Sequence, residues 1–78
     1  MNITLYSKSN CPLCDQAKAL LVAKGIDFTE ISLDEPARRA NFMAAYPDAR
    51  QMPQIFIGDQ RVGGFAGLQA ALKQMGLL

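Results

Sequence analysis

The sequence predicts an α/β fold, a four-stranded mixed sheet flanked by helices in the order β-α-β-α-β-β-α. Three observations carry that prediction. Short runs rich in β-branched and aromatic residues open the chain and recur along it. Apolar residues at helical spacing fill the intervals, and Gly, Pro and Asp residues punctuate the change from one pattern to the other. With 78 residues, half of them hydrophobic, and a formal net charge of +1, the chain has material for one small core and is read as a single domain over residues 1–78.

The elements follow in order. Ile3 to Ser7 alternates β-branched and aromatic residues and runs into the polar Ser7-Lys8-Ser9-Asn10, a strand and its loop. From Cys11 the period changes: Pro12 suits a first helical position, Ala17, Leu20 and Leu21 share a face, and Gly25 after Lys24 is a stop. Phe28 to Leu33 reads as a second strand, and two strands joined through a helix predict a right-handed βαβ unit with parallel strands. Asp34-Glu35-Pro36 opens a second helix with an acidic cap, running to about Tyr46 before Pro47. After a loop from Asp48 to Met52, Ile55-Phe56-Ile57 and Gln60-Arg61-Val62 form a hairpin about Gly58-Asp59. Gly63-Gly64 breaks the hairpin's second strand, and Leu68, Ala71, Leu72 and Met75 mark a last helix that closes near Gly76.

Charge and hydropathy exclude several classes of function. Eight basic against seven acidic residues create no field that would gather nucleic acid or an anionic membrane, and no basic run is interleaved with aromatics. The longest charge-free stretch, between Arg61 and Lys73, contains three glycines and falls short of the ~20 apolar residues that span a bilayer. Met1 to Tyr6 lacks the charged and apolar regions of a secretory signal, so the expected compartment is the reducing cytoplasm.

In that compartment Cys11-Pro12-Leu13-Cys14, at a strand-to-helix junction inside a βαβ unit, becomes informative. A closed zinc site needs four ligands, and the chain has no His and no third Cys. A structural disulfide would close a tiny loop that restrains the unfolded chain little. A redox dithiol fits the position. At the helix N-cap the Cys11 sulfur faces the N–H groups of Leu13 and Cys14 and the positive end of the helix dipole, which favours thiolate and predicts a depressed pKa. Cys14, inside the first turn, lacks that stabilisation. Cys11 is therefore the expected attacking sulfur and Cys14 the resolving one. Lys8 either adds a positive charge on the same loop or is a solvated loop lysine; Asp15 either opposes the thiolate or is an ordinary first-turn acid. Met52-Pro53, just before an apolar strand, is either a cis peptide that turns the Met52 backbone toward a ligand or a trans proline that starts an edge strand.

Taken together, Tyr6-Ser7-Lys8, Cys11-Pro12-Leu13-Cys14, Ala17-Lys18-Ala19-Leu20-Leu21, Met52-Pro53-Gln54-Ile55-Phe56-Ile57 and Gly63-Gly64 resemble a glutaredoxin over essentially the whole chain. The resemblance implies a thioredoxin-like fold with β1 and β3 antiparallel, a cis Pro53 facing the dithiol, no tightly bound cofactor, and glutathione as reductant. It implies that Lys8 and Gln51 contact a carboxylate of the tripeptide. The Met52 backbone would then pair with the cysteinyl part, beside Pro53, and Gly63, Gly64 and the turn beginning at Phe65 would hold the γ-glutamyl end.

Two departures bear on affinity. Leu13 stands where the family commonly has Tyr and covers less of the groove, and Phe65-Ala66-Gly67-Leu68 supplies no acid for the γ-glutamyl ammonium. An acid installed at Ala66 or Gly67 is expected to restore that counter-charge. The expected function is therefore glutathione-dependent reduction of protein disulfides and glutathione mixed disulfides by a cytoplasmic monomer, with no nucleic-acid or membrane partner. Gly64-Phe65 also resembles the glutaredoxin-like electron donors of ribonucleotide reductase, which are served by thioredoxin reductase. A third reading, an iron–sulfur carrier using Cys11 of two chains and outside thiols, is opposed by the resolving Cys14, which competes by forming a disulfide.

Overall fold

A computed structural model describes residues Met1–Leu78. The seven elements are β1 (Ile3–Ser7), α1 (Pro12–Ala23), β2 (Thr29–Ser32), α2 (Pro36–Ala45), β3 (Gln54–Ile57), β4 (Gln60–Gly63) and α3 (Phe65–Gln74). Their order along the chain is the expected one. The sheet runs β2-β1-β3-β4, with β1 parallel to β2 and antiparallel to β3, and β3 antiparallel to β4.

Alternation in β1 builds both faces. Ile3 and Leu5 are buried on the face that meets α1 and α3, where they join Ala17, Leu21, Ile55, Leu68 and Leu72. Tyr6 turns to the opposite face and packs with Leu33, Phe42, Ala49, Met52 and Phe56 under α2, in the same cluster as both cysteines. The rings of Tyr6, Phe42, Tyr46 and Phe56 interlock there, with centroids 4.6 to 5.7 Å apart. Each fully buried side chain of this size contributes roughly 1.5–3 kcal/mol relative to exposure. The two clusters together clamp the C-terminal end of β1, which carries the loop to Cys11.

The structure corrects four details. β2 is shorter than Phe28–Leu33: Phe28 turns into the α1/α3 core and Leu33 already lies beyond the strand, although its N–H still donates to the Ser7 carbonyl at 2.8 Å. No acid caps α2, because the N-cap residue Glu35 makes no side-chain bond to the helix and Asp34 is engaged elsewhere. Gly63 belongs to β4 rather than breaking it, and α3 begins at Phe65, three residues before Leu68. Finally, β3 is interior, so Pro53 does not start an edge strand.

A close approach explains one glycine. A β-carbon on Gly67 would stand 1.8 Å from the Val62 carbonyl oxygen, so α3 lies against β4 at its first turn only because the side chain is absent. Gly67 is therefore no place to install an acid, and that half of the expectation fails on steric grounds; Ala66, exposed, remains usable.

Candidate active site

The loop leaving β1 is tied down on both sides of Lys8. The hydroxyl of Ser7, only 3% exposed, donates to Glu30 Oε2 at 2.7 Å. The N–H of Ser9 donates to Asp34 Oδ1 at 2.9 Å, and the Ser9 hydroxyl binds the other oxygen of the same carboxylate. Asn10 follows in the left-handed region at φ 55°, which the short polar Asn side chain tolerates, and turns the chain into the helix. These ties set the charges around the loop. The Ser9 hydroxyl, then its N–H, holds the Asp34 carboxyl below its ordinary value. The Lys18 ammonium, then the Ser7 hydroxyl, does the same for Glu30. Lys18 is raised in return by its bond to Glu30, at 2.9 Å.

Cys11 is the N-cap of α1, in extended backbone at φ −125°, and its Sγ accepts the Cys14 N–H at 3.1 Å. Of the two N–H groups expected to face the sulfur, only that of Cys14 bonds it. Cys11 and Cys14 are joined as a disulfide with their Cα atoms 5.2 Å apart. Both are buried, Cys11 at 6% and Cys14 at 1% exposure. Asp15 is an ordinary first-turn acid, well exposed and 3.7 Å from Lys18.

Opposite the disulfide, the Met52–Pro53 peptide is cis and both residues are buried. The Met52 carbonyl oxygen lies 3.5 Å from Cys11 Sγ, and nothing in the chain accepts a bond from the Met52 N–H. That N–H is left free for a ligand; the carbonyl, expected to be equally free, faces the sulfur.

A groove of about 320 Å³ opens over this junction. Lys8, Cys11, Leu13, Gln51 and Met52 all line it, so five of the positions named from sequence converge. Cys14 and Pro53 lie buried below. Gly63, Gly64 and Phe65 do not line it: Gly64 stands against the Pro53 carbonyl, 3.6 Å from its own would-be β-carbon, and the Phe65 ring packs on the α1/α3 core. The first turn of α3 offers backbone N–H groups that no side chain caps.

Sequence reasoning missed Asn10 and Arg50, which line the same groove, and Arg39, which lines the adjoining one. Arg50, next to Gln51, carried a signal in its charge; Arg39 lies on α2, and no local pattern connects it to Cys11. No three His, Cys, Asp or Glu side chains are grouped to hold a metal ion, and no helix is long and apolar enough to cross a membrane.

Comparisons with known proteins agree with this geometry. A sequence model of the glutaredoxin family matches residues 3–62. Glutaredoxin 3 of Escherichia coli K12 is 40% identical over 76 residues, covering 97% of this chain and 92% of that protein. The crystal structure of glutaredoxin 1 from Francisella tularensis, complexed with cacodylate, superposes with a TM-score of 0.78 at 30% identity, covering 95% of this chain and 94% of the other. The glutaredoxin-like NrdH-redoxin of Escherichia coli, described as having a thioredoxin-like activity profile, superposes with a TM-score of 0.74 at 30% identity over 91% of this chain and 92% of its own. The fold is thus thioredoxin-like.

Proposed function

The chain belongs to the glutaredoxin family and is a thiol-disulfide oxidoreductase, and on that premise we propose that Cys11 and Cys14 are its redox dithiol and glutathione its reductant. The observation that carries this reading is the cap: Cys11 Sγ receives the Cys14 N–H at the positive end of α1, whereas Cys14 has no such donor. A hydrogen bond and a helix N-terminus both favour thiolate over thiol.

The Cys11 thiolate attacks one sulfur of a substrate disulfide. The substrate S–S bond breaks, the displaced thiolate takes a proton from water, and Cys11 is left in a mixed disulfide. Cys14, deprotonated, then attacks Cys11 Sγ; the Cys11–Cys14 bond forms and the second substrate thiol leaves. The substrate has gained two electrons and the protein has lost them. Two glutathione molecules reverse the loss, the first through a mixed disulfide at Cys11, the second by releasing glutathione disulfide. Glutathione held in the groove would place a carboxylate on Lys8 and Gln51, its cysteinyl backbone on the free Met52 N–H, and its γ-glutamyl end on the uncapped first turn of α3. The proposed setting is a single domain over residues 1–78, monomeric in a reducing cytoplasm.

One observation favours a second reading, an electron donor to ribonucleotide reductase reduced by thioredoxin reductase. Residues Phe65 to Gly67 carry no acid, and NrdH-redoxin shares the fold at 30% identity. Without a carboxylate for the γ-glutamyl ammonium, glutathione forfeits a charge-assisted bond of roughly 1.5–3 kcal/mol, reduced by solvent in an open groove, or about tenfold in affinity.

Steady-state turnover of a glutathione mixed disulfide against glutathione concentration tests the choice, run beside reduction by thioredoxin reductase. The proposal expects a high KM for glutathione that Ala66→Asp lowers about five- to tenfold at unchanged kcat. Efficient reduction by thioredoxin reductase with no effect of Ala66→Asp reverses the assignment.

A further inference from the structure

Arg61 lines no part of the groove at Cys11, yet its side chain ties β4 to the start of the loop that carries Gln51 and Met52. It stands opposite Phe56 of β3. Its Nη2 donates to Asp48 Oδ2 at 2.6 Å, and its guanidinium carbon lies over the Tyr46 ring, 5.2 Å from the centroid. We propose that Arg61 is a positioning residue for thiol transfer: through Asp48 and Tyr46 it holds the Asp48–Met52 loop where Gln51 and the Met52 N–H meet glutathione. This role rests on the reading of Gln51 and Met52 as glutathione contacts.

The loop needs a hold from outside. It has no partner strand, and between α2 and β3 its backbone makes two short-range bonds, Ala49 N–H to the Tyr46 carbonyl and Arg50 N–H to the Asp48 carbonyl, each 3.0 Å. Neither reaches Gln51 or Met52. At the β3 end the Gln54 side chain donates to the Gln51 carbonyl at 2.8 Å. At the α2 end the exposed Asp48 has Arg61 as its only side-chain partner.

Arg61 suits that task because its own place is fixed. Its backbone is in the sheet, its side chain is 27% exposed, and the Tyr46 ring beneath it packs on Phe42 and Phe56, with centroids 5.0 and 5.2 Å away. Phe42 and Phe56 belong to the cluster that holds Cys11, Cys14 and Met52. An exposed ion pair alone holds little. A guanidinium already seated on an aromatic ring loses less freedom when it pairs, and the two contacts reinforce each other. The bond from Arg61 keeps the Asp48 carboxyl below its ordinary value and therefore ionised at neutral pH.

Positioning separates from chemistry at this site. The Cys14 N–H that bonds Cys11 Sγ belongs to α1 and does not depend on the loop. Loosening the loop lowers the fraction of molecules in which Gln51 and Met52 face the groove, and apparent affinity falls with that fraction. KM then rises while kcat holds.

Steady-state turnover of a glutathione mixed disulfide against glutathione concentration tests this, with NMR order parameters measured on the same proteins. Arg61→Met is expected to raise the KM for glutathione about three- to fivefold at unchanged kcat. Arg61→Lys, which keeps a cation between Asp48 and Tyr46, recovers most of the difference. Asp48→Ala raises KM less, since Tyr46 still seats Arg61, and the double variant is no worse than Arg61→Met alone. In Arg61→Met the order parameters of Arg50, Gln51 and Met52 fall, whereas those of α1 and the alkylation rate of Cys11 stay at the parent's values. An unchanged KM, a fall in kcat at constant KM, or a double variant whose effects add overturns the proposal and leaves the glutathione reading standing. A raised KM with unchanged loop order parameters also overturns it, because the loop would not be what Arg61 acts through. A parent protein that glutathione does not reduce overturns the proposal together with the reading beneath it.

Discussion

Single residues divide sharply into those that local pattern reveals and those that it does not. The roles proposed for Cys11 and Cys14 are legible because they depend on one turn of helix: one cysteine at the N-cap and another inside the first turn. Arg39 and Arg50 are illegible because eleven positions separate them in sequence and only the packing of α2 beside the Asp48–Met52 loop brings them to one cavity. Gly67 was equally hidden. Side by side in the sequence, Ala66 and Gly67 look interchangeable, yet only Gly67 faces the Val62 carbonyl. Gly67→Ala is therefore expected to destabilise, although Ala is the better helix former by about 1 kcal/mol at an open position. Forcing a methyl against backbone costs typically 1–3 kcal/mol, and each kcal/mol lowers Tm by about 4–8 °C in a domain this small. Thermal unfolding followed by circular dichroism checks this; a Tm equal to or above the parent's contradicts the close approach.

Among the elements, type and order were legible and terminal bonds were not. The sequence predicts an acid at the start of α2, but Asp34 is drawn off by Ser9 from another loop, a contact that no local rule contains. Similarly, Lys18 of α1 reaches Glu30 of β2 and joins a helix to an edge strand. These ties predict how stability responds to pH. Glu30, Asp34 and Asp48 are held below their ordinary values, by Lys18, Ser9 and Arg61 respectively. Their contribution is therefore complete above the unfolded values of 4.5 and 3.8 and is lost as pH falls through the lower folded ones. Lys18 is raised above 10.5, so its contribution is complete below that value and is lost as pH rises through the folded one. In the disulfide form, where neither cysteine titrates, these ties leave stability flat from about pH 5 to 10 and lower it at both ends. Lys18→Met lets Glu30 return toward its ordinary value, so the acid limb becomes shallower and the alkaline contribution of Lys18 disappears. Urea unfolding of both proteins across pH checks this, and identical slopes below pH 5 count against the tie.

At the scale of the molecule, the strand order β2-β1-β3-β4 places the end of β1, the start of α1 and the Met52–Pro53 turn together at one end of the two central strands. The βαβ rule and the hairpin were readable from period and turn residues. The antiparallel pairing of β1 with β3 was not readable that way and rested on resemblance to a family. That pairing brings Met52 to Cys11, and without it the dithiol would have no groove. In the proposed mechanism the fold makes Cys11 and not Cys14 the nucleophile. The most direct test is the rate of alkylation of each cysteine in the reduced protein as a function of pH, read by mass spectrometry of the labelled peptides. The account predicts that Cys11 reacts at least about tenfold faster than Cys14 near neutral pH, with a midpoint well below the ordinary thiol value of about 8.5. Faster labelling of Cys14, or a Cys11 midpoint at the ordinary value, would contradict it.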